Sequence, residues 1–343
     1  MLLSDICEII MGQSPSSDSY NVKGQGLPFF QGNADFGKLY PSVRLWCNCP
    51  IKKAEAGDLL VSVRAPIGAV NLANQKCCIG RGLAALRPYR DKCDAMYLYY
   101  LIKAGKNKLN WLGTGSTFKA ITRSSLLSFN VPDYCIAFQR KISGKLWSVD
   151  KLIHQRNEQL KLFDLLIQSR FLEMFGDIEL NSQNMQKMMW QEVFDTQTGK
   201  LDANAAVKGG RYPFFTCAKE ISTIDEYAYD CEALLLAGNN AVGDYDVKYY
   251  KGKFNAYQRT YILMLKNRQY SYSVFKFQLE QKLRYLQLQS KGTNTRYLTM
   301  GILKSLDFIV PPIVKQQEFA QFVNATDKSK LAVQKSLDEL EIL

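Results

Sequence analysis

Phe129-Asn130-Val131-Pro132 returns further along the chain as Phe308-Ile309-Val310-Pro311-Pro312, and both times a long stretch of helical spacing follows. Proline fixes its own φ and lacks the N–H that a ladder needs, so it marks the switch from strand period to helix period. Around this pair, Gly115-Ser116 aligns with Gly292-Thr293, Thr122 with Thr299, Leu126 with Leu303 and Gln139 with Gln316, and the separation is the same in every pair. Upstream, Pro28-Phe29-Phe30 matches Pro213-Phe214-Phe215 and Leu59-Leu60 matches Leu234-Leu235 at shifted offsets, as loops of unequal length require. The chain is therefore an internal repeat, with one copy in each half.

Each copy opens with strand-rich sequence. Residues 58–63, 231–237 and 260–265 are short apolar runs bounded by glycine or polar residues, which is how buried strands read. The first long helix is predicted over Ala137 to Met174, where Ile142, Leu146, Val149, Ile153, Leu160, Phe163, Ile167 and Met174 form one seam at 4-3 spacing, interrupted by Arg156 and Arg170. At 1.5 Å per residue it is about 55 Å long. The second, over Val314 to Leu340, offers Phe319, Val323, Val333, Leu337 and Leu340, with Thr326 and Lys330 breaking the middle. Two such seams pair as an antiparallel coiled coil; the alternative is that each helix packs on its own domain. The expected fold is α+β with a pseudo-two-fold repeat: a domain over 1–134, a spacer helix over 135–180, a second domain over 181–312 and a second spacer helix over 313–343.

Composition narrows the partners. Lys and Arg number 44 against 32 Asp and Glu, a formal charge of +12, which favours a polyanion. No apolar run approaches the roughly 20 residues that cross a bilayer, so no membrane is expected. The opening eleven residues carry Asp5 and Glu8 without a basic region, unlike a secretory leader. Nine scattered cysteines fit reduced thiols and a cytoplasmic location. Cys47-Asn48-Cys49 and Cys77-Cys78 lack the CxxC spacing of common zinc sites, and the single histidine, His154, lies in a helical stretch far from them, so no metal is expected.

The parts of an enzyme are missing too. An amino-methyltransferase needs an Asn/Asp-Pro-Pro-aromatic box, and Val310-Pro311-Pro312-Ile313 has neither the amide nor the aromatic ring. Nuclease-like fragments, Pro132-Asp133 and Glu280-Gln281-Lys282, fall in different copies, and Gly113 to Lys119 lacks the Gly-Lys-Ser/Thr of a phosphate-binding loop. The chain reads as a binding protein with no chemistry of its own.

Residues 57–68, Gly-Asp-Leu-Leu-Val-Ser-Val-Arg-Ala-Pro-Ile-Gly, and residues 78–88, Cys-Ile-Gly-Arg-Gly-Leu-Ala-Ala-Leu-Arg-Pro, are similar to the target-recognition domains of type I restriction-modification specificity subunits. So is the opening Leu3-Ser4-Asp5-Ile6 leading to Gly12-Gln13-Ser14-Pro15-Ser16. The second copy departs where residues 236–243 read Leu-Ala-Gly-Asn-Asn-Ala-Val-Gly. The resemblance implies two target-recognition domains, each reading one half of a split site in double-stranded DNA. It also implies helices that bind two methyltransferase (modification) subunits and act as a ruler between half-sites, which on one face of B-DNA lie about 34 Å apart per turn. Restriction or translocase subunits are further expected partners, and S-adenosylmethionine, ATP and Mg are expected on the partners, with no cofactor on this chain. The rival reading is a nucleic-acid binder or scaffold without sequence preference; two divergent copies argue against it.

DNA contacts call for cations on phosphates and for amide or guanidinium groups on base edges. In the first copy the candidates are Gln31, Asn33, Arg64, Arg81, Ser116, Lys119 and Arg123. In the second they are Arg211, Asn239, Asn240, Lys251, Lys253 and Arg259, together with Lys291, Thr293, Asn294 and Arg296. The loops at Gly113 to Thr117 and Lys291 to Arg296 combine small residues, hydroxyls and a cation, which suits phosphate oxygens, although plain turns have the same composition. The tyrosines at 97, 99 and 100 and between 245 and 261 are expected mostly in the core.

Overall fold

The computed structural model describes residues 1–114 and 119–342. The chain divides into two compact units, Met1–His154 and Gln155–Leu343.

The first unit begins with a single helical turn, α1 (Leu3–Ile6), closed by the Asp5 carboxylate, which accepts the Leu2 N–H at 2.7 Å. Strands Cys7–Met11, Leu83–Pro88, Leu59–Ser62 and Val70–Leu72 follow one another in an antiparallel sheet. A second sheet runs in the order Tyr20–Asn21, Leu45–Cys47, Leu27–Phe30, Cys77–Ile79, Lys53–Ala54, and within it Leu27–Phe30 lies parallel to Cys77–Ile79. Leu59 and Val61 point to one face, under helices α2 (Ala95–Ala104), α3 (Lys106–Leu112) and α4 (Arg123–Leu127), where they meet Leu98, Leu109 and Leu126. Leu60 points the other way, onto Phe30 and Ile79 of the second sheet. A strand buried on both faces needs this unbroken apolar run. Helix α5 (Ile136–Phe175) follows.

The second unit repeats this plan. After the turn α6 (Trp190–Val193), strands Phe194–Thr198, Thr260–Leu265, Tyr229–Ala237, Val247–Ala256, Tyr212–Phe215 and Ser222–Ile224 form one six-stranded sheet in that order. Helices α7 (Tyr272–Gln281), α8 (Leu283–Gln289), α9 (Met300–Lys304) and α10 (Ile313–Glu341) follow α2, α3, α4 and α5 at the same constant offset that relates Gln139 to Gln316. The parallel pairing repeats as well, with Phe29 opposite Cys78 in the first unit and Phe214 opposite Asn255 in the second. One difference stands out. Val247–Ala256 is a continuous ten-residue strand that joins into one sheet what the first unit keeps as two, where the matching strands are broken at residues 73–76.

Two expectations about the elements need correction. The proline-ended strand of the first copy is reduced to a single bridge, Leu2 to Asn130, whereas its counterpart Asp307–Val310 pairs fully with Gln186–Met189. Along the seam, Leu146 is exposed, while Ile142, Val149 and Ile153 are half-buried. Here α5 turns a polar side to its own unit: the Ser143 hydroxyl donates to Asp94 at 3.1 Å and the Tyr100 hydroxyl to Asp150 at 2.9 Å.

Inside the second unit the rest of α5 packs antiparallel on α10. Going from residue 170 back to 164 on α5 corresponds to going from 318 up to 330 on α10: Arg170 reaches Glu318 at 2.7 Å and Lys330 reaches Asp164 at 2.6 Å. Two of the polar interruptions of the seam, Arg170 and Lys330, are thus ion-paired. Phe171 and Phe175, which the heptad reading passed over, are fully buried with ring centroids 5.4 and 5.6 Å from Phe319. Leu160, Phe163, Ile167, Met174, Val323, Val333 and Leu340 are half-buried, Leu337 is buried, and the buried Thr326 donates its hydroxyl to the Phe322 carbonyl. Among the described residues no helix is long and apolar enough to cross a membrane.

Candidate nucleic-acid interface

Parallel strands release their loops at the same end, and this places the first set of candidates together. Gln31 follows Phe30 and Arg81 follows Gly80, and the two exits are tied by Gly80 N–H to the Phe30 carbonyl (2.8 Å) and Gly82 N–H to the Gln31 carbonyl (3.2 Å). A Cβ on Gly82 would sit 2.4 Å from that carbonyl, so no other residue fits. Arg64 leaves the neighbouring strand beside them, held by Val63 N–H to the Gly82 carbonyl and by the Ser62 hydroxyl, which donates to the Arg64 carbonyl at 2.8 Å. The result is a groove of about 320 Å³ whose walls include Gln31, Asn33, Arg64 and Arg81.

Two of its residues were not singled out from sequence. Asp35, 6% exposed, accepts the Gln31 N–H at 2.8 Å and the Arg44 Nε at 2.9 Å. Its carboxylate thereby fixes both the Gln31 loop and the Arg44 guanidinium, whose side chain stays 61% exposed. Three guanidinium groups against one buried carboxylate leave the groove positive, suited to phosphate or to guanine O6 and N7. Arg44 carries no motif; its signal is the pairing of Leu27–Phe30 with Leu45–Cys47, which sequence does not display.

Lys119 and Arg123 lie beyond the groove. Ala120 bridges both Arg64 and Thr114, which brings exposed Lys119 to the Arg64 turn, and exposed Arg123 opens α4 after its cap Thr122. Ser116 falls outside the described residues, as do Gly115 and Thr117.

The second unit has the same turn with different side chains. Gly68 and Gly243 have φ of +80° and +74° at corresponding positions. Arg64 bridging Ala120 corresponds to Asn239 pairing with Tyr297, since Tyr297 is the repeat partner of Ala120 at the constant offset. Asn239 therefore stands where the first copy has Arg64. Asn240 pairs with Arg296, Lys291 bridges Tyr297, and the Arg259 carbonyl accepts the Gly238 N–H at 2.9 Å, so these five candidates surround one turn. The Asn240 side-chain oxygen is committed to the Val242 and Asp244 N–H groups, and Arg296 donates to the Gln287 carbonyl at 3.0 Å. Thr293 and Asn294 are exposed in the connecting loop.

The remaining candidates sit apart from that turn. Arg211 lies over Tyr212, and Lys253 lies 4.6 Å from the centroid of Tyr227, whose ring meets Tyr212 at 5.1 Å. The hydrogen bond with Tyr227 pushes the Lys253 ammonium above its ordinary range. Lys251 faces Glu232 across the ladder at 3.2 Å and belongs to neither group. Of the tyrosines, Tyr97, Tyr99, Tyr100 and Tyr245 are buried, while Tyr249 is exposed.

Against known proteins, the family model described as "Type I restriction modification DNA specificity domain" matches residues 1–162 and 182–341. A Methanocaldococcus jannaschii protein assigned as the type I restriction enzyme MjaX specificity subunit is 44% identical over 152 residues, covering 44% of this chain and 36% of that protein. The type I restriction enzyme EcoDI specificity subunit of Escherichia coli is 38% identical over 132 residues, covering 38% of this chain and 28% of that one. The chain thus matches well under half the length of these curated relatives. The crystal structure of a type I restriction-modification system S subunit from M. genitalium shares the fold over 100% of this chain and 92% of its own, with a TM-score of 0.71 at 15% identity. With matches that leave out few residues of either copy, the chain belongs to the type I restriction modification DNA specificity domain family.

Proposed function

We propose that this chain is the DNA-recognition subunit of a type I restriction-modification complex, reading a bipartite, gapped target with one module per half-site and catalysing nothing itself. The observation that carries this is the preserved turn with exchanged side chains: Arg64 in one copy and Asn239 in the other, on the same backbone. A reader of phosphates alone gains nothing from such divergence, whereas Arg suits guanine and Asn suits adenine in the major groove.

The partners follow from the same reading. Methyltransferase subunits, two per chain, take up the helices; Leu162, Leu165, Leu166 and Leu172 are exposed apolar side chains along α5. Restriction or translocase subunits join the complex, S-adenosylmethionine, ATP and Mg reside on the partners, the lengths of α5 and α10 set the gap, and the complex works in the cytoplasm. The test is co-expression with the cognate methyltransferase subunit and mapping of methylated sites. A gapped two-part motif is expected; methylation without a motif, or at one continuous short site, overturns the reading.

A further inference from the structure

Helix α3 ends in a side chain that its own fold does not bury. Leu109 is fully buried and anchors the helix, yet Trp111 is 88% exposed. In the second unit α8 repeats this at the equivalent positions, Leu288 being the repeat partner of Trp111: Leu286 is fully buried and Leu288 is 72% exposed. A large apolar side chain held in water at the same place in both copies is not a casualty of one loop.

Both helices rest on the turn that carries the base-reading candidates. The Gly68 Cα faces the Lys106 backbone of α3, and a Cβ there would lie 3.3 Å from the Lys106 Cα; a Cβ on Gly113, just past α3, would meet Ile67. In the second unit Gln287 of α8 donates to the Val242 carbonyl at 3.1 Å, in the turn that begins at Asn239. The surroundings are cationic. Residues 104–129 contain no Asp or Glu and carry exposed Lys106, Lys108, Lys119 and Arg123. The matching segment 281–306 also has no Asp or Glu; apart from Lys282, which is paired with Glu179 and Asp307, it carries Arg284, Lys291, Arg296 and Lys304.

An exposed apolar group framed by cations, with no carboxylate in its segment, is complementary to a duplex, where phosphates flank stacked bases. Resting on the DNA-recognition reading above, we infer that Trp111 and Leu288 are wedges that press against a base step, one in each half-site, and unstack it while the surrounding cations hold the phosphates. The wedge is uncharged, so it adds affinity without releasing counterions; the lysines do the reverse.

That difference makes the test. The full complex is titrated with duplexes bearing its mapped target and 2-aminopurine at successive steps of each half-site, at several salt concentrations. Trp111→Ala is expected to weaken binding about tenfold, to remove the fluorescence rise at one step of one half-site, and to leave the salt slope unchanged. Leu288→Ala does the same in the other half-site with a smaller loss, and Lys106→Ala with Lys108→Ala lowers the salt slope while keeping the fluorescence rise. Trp111→Phe restores most of the signal. If the wild-type complex shows no preference for its target, the recognition reading falls and the wedge with it. If it binds its target but Trp111→Ala leaves affinity and fluorescence unaltered, or instead blocks assembly with the methyltransferase subunit, the wedge alone is overturned.

Discussion

At the scale of single residues, the cysteines show how burial decides chemistry. Cys7, Cys77, Cys78 and Cys93 are packed into the first unit, and burial pushes their thiols from the ordinary 9.0 up to about 12. A neutral buried thiol is neither nucleophile nor ready metal ligand. Cys49 and Cys135 are exposed. Labelling the native protein with an aromatic disulfide reagent at pH 8 is expected to modify Cys49 and Cys135 rapidly and the five buried thiols, Cys47 included, only as the fold opens; quick reaction at Cys77 or Cys78 would contradict the packing. The shift also carries a sign for stability. Folding holds these thiols protonated, so their contribution is whole below about pH 9 and is lost as pH rises toward about 12. The urea midpoint of the first unit should therefore fall between pH 8 and pH 10.5, and a midpoint that rises over that interval would refute the assignment.

At the scale of elements, the joint between each module and its long helix is built from one repeated side chain. The Gln139 side-chain oxygen accepts the Asp94 N–H at 3.1 Å, and its nitrogen donates to the Tyr134 and Lys92 carbonyls. The Gln316 oxygen accepts the Ser271 N–H at 2.9 Å and its nitrogen donates to the Pro311 carbonyl at 2.7 Å. Asp94 and Ser271 occupy the N-cap positions of α2 and α7, so in each copy one amide ties the start of the long helix to the first residue of a shorter one. Removing it orphans buried backbone groups. Gln316→Ala is expected to cost about 2 kcal/mol and to speed hydrogen exchange at the Ser271 amide, with Gln139→Ala doing the same at Asp94; unaltered midpoints and exchange would show the joint to be dispensable. Much of this level was legible in the sequence. The constant offset between the copies found Gln139 and Gln316, the caps Thr122 and Thr299 and both long helices, because fixed offsets and helical periods survive in the letters alone. Phe171, Phe175 and Arg44 were missed because their roles depend on which neighbour packs or pairs with them: α10 and α7 for the phenylalanines, Asp35 for the arginine. The ion pair of Lys251 with Glu232 could not be read from the letters either, because strand register sets it.

At the scale of the whole molecule, duplication gives two modules which, on the proposed reading, diverge separately. Each unit holds its own apolar clusters, Leu59, Val61, Leu86 and Leu98 among others in the first, Leu234, Leu236, Leu263 and Phe275 among others in the second. A side chain exchanged on the rim of one therefore leaves the packing of the other untouched, and effects at well-separated sites add. The target should be decomposable in the same way. Arg64→Ala removes a guanidinium from the first groove, and Asn239→Ala removes an amide from the matching turn of the second; each base-edge pair is worth about 1–3 kcal/mol of discrimination. Methylation mapping of the Arg64→Ala complex is expected to show one position of one half-site relaxed by about tenfold, with the other half-site and the gap intact. Asn239→Ala should relax the opposite half, and the double variant should show both changes side by side. Were either substitution to blur both halves together, the two turns would have to be reading a single continuous site, and the repeat would be serving symmetry of assembly in place of division of the target.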